Sequence, residues 1–168
     1  MPISDTQARP EDQLTDLMNR YEQPLSGYLL LLLGDRDVVR DCAQDTFLRA
    51  YEHLRSGKNV NAQWLYKVAR NRAIDHLRHR QREQSEPEAL EAMITEELGE
   101  PDRIVAVRLA LQKLPSADRE VLYLFTVDKF DTRQIAAMLG IRPGAARVRL
   151  YRARERFRSV YSPPRGAQ

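Results

Sequence analysis

Cysteine is nearly missing from this chain: Cys42 is the only one in 168 residues. An intramolecular disulfide and a cysteine-based zinc site are therefore excluded, and a reducing cytosol is the natural setting. Cys42 itself lies on a predicted apolar stripe and reads as a structural thiol. Histidine is scarce too, limited to His53, His76 and His79. The last two have a ligand-like spacing, but no third or fourth ligand accompanies them, so no metal or other cofactor is expected. There is no HExxH, no glycine-rich phosphate loop and no nucleophile triad, so an enzyme is not expected. Long apolar runs are also missing. Leu29–Leu33 is far too short to span a bilayer, and the opening MPISDTQARPEDQ has no apolar signal core, so no membrane insertion of its own is expected. No internal repeat and no alternating strand pattern is present.

What remains is a soluble globular composition, 42% hydrophobic and 30% charged, with a formal net charge of only +3. The distribution of charge says more than its sum. Lys67–Arg82 holds six basic residues against Asp75 alone, and Arg142–Arg158 holds seven arginines against Glu155. Between them, Glu83–Asp102 holds eight acidic residues and no basic one. Two basic segments flanking an acidic one suggest two phosphate-facing modules and a tether that avoids phosphate.

Helical periodicity dominates. Leu14, Leu17, Met18, Tyr21, Leu25, Tyr28, Leu29 and Leu32 mark a first helix, which Pro24 is expected to kink or split and Gly34-Asp35 to stop. A second helix turns Val38, Cys42, Phe47, Ala50, Tyr51 and Leu54 inward. RSGKNVNAQ is a polar, turn-rich loop. A third helix runs from about Ala62 to Arg82. Expected boundaries are a disordered 1–10, a first module 11–82, an acidic linker 83–101, a second module 102–159 and a disordered tail 160–168. In the second module Pro115 breaks a helix and Ser116 is expected to cap the next.

Three stretches carry chemistry. TRQIAAMLGIRPGAARVRLYRARERFR, Thr132–Arg158, has the layout of a helix-turn-helix, whose second helix enters a DNA major groove. Gly140 permits the turn and Pro143 suits the first helical position. Ala146, Leu150, Ala153 and Phe157 fall within roughly a 60° sector that packs inward. Val148, Tyr151, Arg152 and Glu155 then point outward, with Arg147 and Arg149 on the flanks; arginine suits guanine edges or phosphates, and valine a thymine methyl. WLYKVARNRAIDHLRHRQR interleaves aromatic and basic residues, a pattern suited to single-stranded nucleic acid. Trp64 has two readings, core packing or base contact, whereas Tyr66 and Lys67 are the better contact candidates and Asn71 a hydrogen-bonding one. Along DCAQDTFLRAYEHL, Asp41, Gln44, Asp45 and Leu48 form one stripe with Phe47 and Tyr51 beside it, suited to a protein partner.

Together these residues resemble the extracytoplasmic-function (ECF) group of bacterial RNA polymerase sigma factors. DVVRDCAQDTFLRAYEHL with WLYKVARNRAIDHLRHR is similar to region 2, and LQKLPSADREVLYLFTVDKFDTRQIAAMLGIRPGAARVRLYRARERFR to region 4. The resemblance implies an all-α fold of two small helical domains. It implies core RNA polymerase binding by Asp41, Gln44, Asp45, Phe47, Leu48 and Tyr51. Capture and melting of the −10 promoter element falls to Lys58, Asn59, Tyr66, Lys67, Asn71 and Arg72. Reading of the −35 element falls to Arg147, Val148, Tyr151 and Arg152. It further implies promoter DNA and an anti-sigma factor as partners, cytoplasmic residence with possible tethering at the inner membrane through that partner, and catalysis left to the polymerase. The acidic linker would thread toward the RNA exit path.

The chain departs from the family pattern in three places. Arg142-Pro143-Gly144-Ala145-Ala146 replaces a common Ser-x-Gly-Thr-Val, losing a cap worth ~1 kcal/mol. Val148 stands where a small polar residue is common. FTVDKFDT lacks the glycine often found before the helix-turn-helix. Two other functions share much of this pattern: a free-standing helix-turn-helix regulator, which needs no polymerase, and a sigma mimic or anti-sigma-type protein, which binds polymerase without starting transcripts.

Overall fold

A computed structural model describes residues 8–83 and 102–163. The acidic linker, most of the N-terminal segment and the end of the tail lie outside the described residues. Among the described residues there are seven helices and no strand.

The first module is three helices: α1 (Pro10–Leu33), α2 (Arg36–Arg55) and α3 (Ala62–Glu83). Pro10 opens α1 with Glu11 and Asp12 in its first turn, where proline and acids suit the unpaired N–H groups. Gly34 closes it in the left-handed region, φ 68°, and its N–H reaches Leu30 O. Asp35 then caps α2 by accepting from the N–H groups of Asp37 and Val38 at 2.9 and 3.2 Å. Asn61 does the same for α3, accepting from Trp64 N at 2.8 Å.

Pro24 does not split α1, which runs through it as one helix. Both Pro24 and Arg20, whose carbonyl loses its partner, are exposed. A carbonyl left without its helix partner at an exposed position is open to solvent, so the break is tolerated where a buried one would not be.

The second module comprises α4 (Asp102–Gln112), α5 (Ser116–Thr126), α6 (Thr132–Leu139) and α7 (Pro143–Val160). Ser116 does not cap α5: Pro115 holds the cap position and no side chain bonds there. α6 carries a full capping box, with Asp131 Oδ1 accepting from Gln134 N and Gln134 Oε1 accepting from Asp131 N, both at 2.9 Å. α7 lacks a side-chain cap and starts at Pro143, as its sequence predicts.

The two modules share one continuous apolar core. Leu25, Leu29, Leu33, Phe47, Leu65 and Ala69 fill the first half, and Val121, Leu124, Ile135, Met138, Leu150 and Ala153 the second. α3 lies against α6, and α1 against α5. Two modules this small gain buried area by packing together, since small domains leave much apolar surface uncovered. No helix among the described residues is long and apolar enough to cross a membrane.

Candidate nucleic-acid interface

The helix-turn-helix is built as its sequence demands. Ile135, Ala136 and Leu139 of α6 are buried, Gly140 turns the chain at φ 65°, and Ala146, Leu150 and Ala153 of α7 seat inward. Small residues at Ala146 and Ala153 let α7 approach closely. Val148 is 49% exposed and Tyr151 66%, so two apolar bodies stand together in solvent on this helix. Arg147 and Arg152 share this face and are exposed.

Three other arginines of α7, Arg154, Arg156 and Arg158, are occupied within the module. Arg156 pairs with the buried carboxylate of Asp118. Arg154 lies over the Phe125 ring, 4.6 Å from its centroid. Arg158 pairs with Glu155 at 2.7 Å. Spacing puts Arg154 and Arg156 off the outward face, but that Phe125 and Asp118 of α5 hold them is not written in the sequence of α7.

The loop before the helix-turn-helix reverses direction without glycine. Lys129 takes the left-handed conformation, φ 60°, in its place. Its neighbours Asp128 and Phe130 both reach the first module, at Tyr66.

On α2, Asp41, Gln44 and Leu48 face solvent, with Leu48 56% exposed. Asp45 is half-buried and paired with Arg49, at 3.3 Å, and with Arg72 of α3. Tyr51 is half-buried, and its hydroxyl donates to Glu11 at 2.8 Å. Phe47 is 6% exposed and belongs to the core, as the spacing of α2 predicts; the surface contact that the resemblance implies for it is corrected.

On α3 and the preceding loop, Lys58, Asn59, Lys67 and Asn71 are exposed. Arg72 is half-buried by its pair with Asp45. Trp64 takes the packing role, stacked on His53 with centroids 4.6 Å apart. Tyr66 is a second correction. It is 1% exposed, edge-on to Phe130 at 4.9 Å and 5.2 Å from the Tyr28 ring. The second module covers it, an arrangement its own helix cannot reveal. Burial, with the Asp128 carboxylate nearby, pushes its hydroxyl pKa far up.

That junction also holds a buried polar cluster. Tyr28 donates to Glu120 Oε1 at 2.6 Å, and Arg70 donates to the same carboxylate from Nε at 2.7 Å and Nη2 at 3.3 Å. Glu120 is 5% exposed. It stands past the first turn of α5, whose acid is Asp118, so the helix end does not account for it.

Between α2 and α3, Val38, Asp41, Cys42, Arg72, Asp75, His76 and His79 line a groove. Burial raises the Cys42 thiol pKa, which makes it a poor nucleophile. Among the described residues, no three potential ligands converge on a metal position.

Comparison with known proteins accounts for both modules. Residues 17–83 match sigma-70 region 2, and residues 104–157 match sigma-70 region 4. The sigma factor CarQ of Myxococcus xanthus is 30% identical over 157 residues, covering 89% of this chain and 90% of the relative. The ECF sigma factor EcfG of Rhodopseudomonas palustris is also 30% identical over 157 residues, covering 89% of this chain and 85% of the relative. In fold the chain is similar to the sigma factor RpoE of Bartonella quintana, solved in complex with the anti-sigma factor NepR, with a TM-score of 0.66 at 23% identity, covering 87% of this chain and 94% of that one. A region 2 bundle followed by a region 4 helix-turn-helix, with relatives matched over most of their length, makes this chain a member of the ECF group of RNA polymerase sigma factors.

Proposed function

We propose that this sigma factor holds core RNA polymerase through the α2 face and grips promoters at two points, one on each module. The polymerase contacts are Asp41, Gln44 and Leu48, with Asp45 and Tyr51 at the edge of the stripe. Phe47 supports them from beneath. Lys58, Asn59, Lys67 and Asn71 meet the −10 element, and Arg72 borders them. Arg147, Val148, Tyr151 and Arg152 read the −35 element. The observation that carries this reading is the outward set on α7: an exposed valine and tyrosine between two unpaired-facing arginines suits a groove better than water.

On this reading the chain works beside the polymerase in the cytoplasm and supplies no catalysis itself. An anti-sigma factor is an expected partner, as the Bartonella quintana protein was solved in complex with one. Run-off transcription with core polymerase and a genomic promoter library tests the proposal. Discrete start sites that depend on this chain are expected. Duplex binding without such transcripts would indicate a free-standing regulator, and polymerase binding without them a sigma mimic.

A further inference from the structure

The outward face of α7 offers a base very little to hydrogen-bond. Ala146, Leu150 and Ala153 are buried, and at about 100° per residue Val148 stands opposite the middle of their sector. One turn before it lie Gly144 and Ala145, and one turn after it Tyr151 and Arg152, all exposed. A track of Ala145, Val148 and Tyr151 therefore runs along the face, and its only side-chain polar atom is the tyrosine hydroxyl. Arginines stand beside it, at Arg147 and Arg152. Glu155 shares the face further along and is held by Arg158 at 2.7 Å. Gly144 leaves the first turn of the face bare. A Cβ added there would meet nothing within 4 Å in the chain, so the fold has room for a side chain that the sequence omits. Glycine weakens a helix, and a surface that comes close to this turn accounts for its presence.

In a major groove only the pairs that contain thymine present a methyl group; the other edge groups that mark a base are donors and acceptors, which alanine and valine cannot pair. We infer that α7 selects its duplex by thymine C5-methyl groups, with Val148 as the residue that sets the preference. Ala145 and Tyr151 extend the apolar contact, and Arg147 and Arg152 fix the helix over it through guanine edges or phosphates. This rests on the assignment of α7 to the −35 element and names the base group that it reads. Such a contact separates thymine from uracil, which has the same hydrogen-bonding edge without the methyl. It accepts 5-methylcytosine, which carries a methyl at the same place on a different hydrogen-bonding edge. Reading by hydrogen bonds would give the opposite order.

The test uses the full chain loaded on core polymerase and the duplexes that it enriches from a random-sequence pool. In an enriched duplex each thymine is replaced in turn by deoxyuracil, and affinity is measured for wild type, Val148→Ser and Val148→Ile. At a thymine that meets Val148 the wild type should lose about fourfold, the worth of burying one methyl group. Changing that pair to cytosine and guanine should also weaken binding, and 5-methylcytosine there should restore most of the loss. Val148→Ser should bind the thymine and deoxyuracil duplexes equally, whereas Val148→Ile should keep the distinction. Val148 is half exposed, so both variants should match the wild type in circular dichroism and melting temperature. Equal affinity for thymine and deoxyuracil at every position would overturn the inference, as would a deoxyuracil penalty that Val148→Ser leaves in full. A duplex that loses affinity on Arg147→Ala yet ignores every methyl would overturn it and leave the −35 assignment standing. A pool that yields no duplex would remove both.

Discussion

Arg70 of α3 and Glu120 of α5, fifty residues apart in sequence, form the ion pair at the centre of the junction between the modules, with Nε 2.7 Å from Oε1. Their side chains are only 22% and 6% exposed, so each depends on the other. Tyr28 supplies the remaining hydrogen bond.

Removing one partner should cost more than removing both. Arg70→Met strands a buried carboxylate and should destabilise the chain by about 3 kcal/mol. The double variant Arg70→Met with Glu120→Leu should recover most of that loss. Urea melts of the four proteins in the cycle measure it, and equal stability of the single and double variants would refute the coupling.

Acidification should tighten the junction. Burial pushes the Asp128 carboxyl pKa up to about 6 from its ordinary 3.8, with the Tyr66 hydroxyl opposing. The packed state therefore binds a proton more readily than an open or unfolded chain. Its contribution to packing is fully present below the ordinary carboxylate value and is lost as pH rises through about 6. In urea melts the wild type should gain stability as pH falls from 7 toward 4 and Asp128→Asn should gain much less, roughly over the window these values set.

Base reading and module stability should separate on α7. Arg147→Ala and Arg152→Ala should each weaken −35 duplex binding by about 1–3 kcal/mol while leaving melting temperature and core polymerase affinity in place. Arg156→Ala should instead lower the melting temperature, because it abandons the buried Asp118. Equal loss of polymerase affinity in the first two would count against the assignment.

Adjacent residues on α2 should behave in opposite ways. Leu48→Ala should leave stability within about 0.5 kcal/mol and weaken core polymerase binding. Phe47→Ala should cost about 3–5 kcal/mol of stability. Calorimetry and a polymerase binding assay on both variants distinguish a contact residue from its support.

Lys129→Gly should stabilise the second module. A non-glycine residue in the left-handed region pays roughly 1–2 kcal/mol, part of which glycine gives back through its freer unfolded chain. A net gain of about 0.5–1 kcal/mol is expected in thermal melts. No gain would mean that the loop has found compensation elsewhere.

Much of this architecture is legible without coordinates. Helical spacing of Leu25, Tyr28 and Leu29, the stop at Gly34-Asp35, and the turn between Leu139 and Pro143 are local statements, and local geometry enforces them. The outward face of α7 follows from the same arithmetic, because 100° per residue fixes which side chains share the sector of Ala146, Leu150 and Ala153. Pro24 misleads because its effect depends on which carbonyl loses its bond, and that carbonyl is at the surface. Ser116 misleads by one residue: the chain enters α5 at Pro115.

By itself, then, the sequence determined the helices, their order, the inward and outward faces of α7, and the two modules whose pairing defines a sigma factor. Only the tertiary structure decided that Tyr66 is covered and that Arg154 and Arg156 serve α5. Periodicity acts within a few turns of one helix, and so it reports which face is apolar. It does not say which distant residue will lie there. Glu120 and Asp128 meet α3 only because the modules fold onto a common core, across a separation that no local pattern encodes.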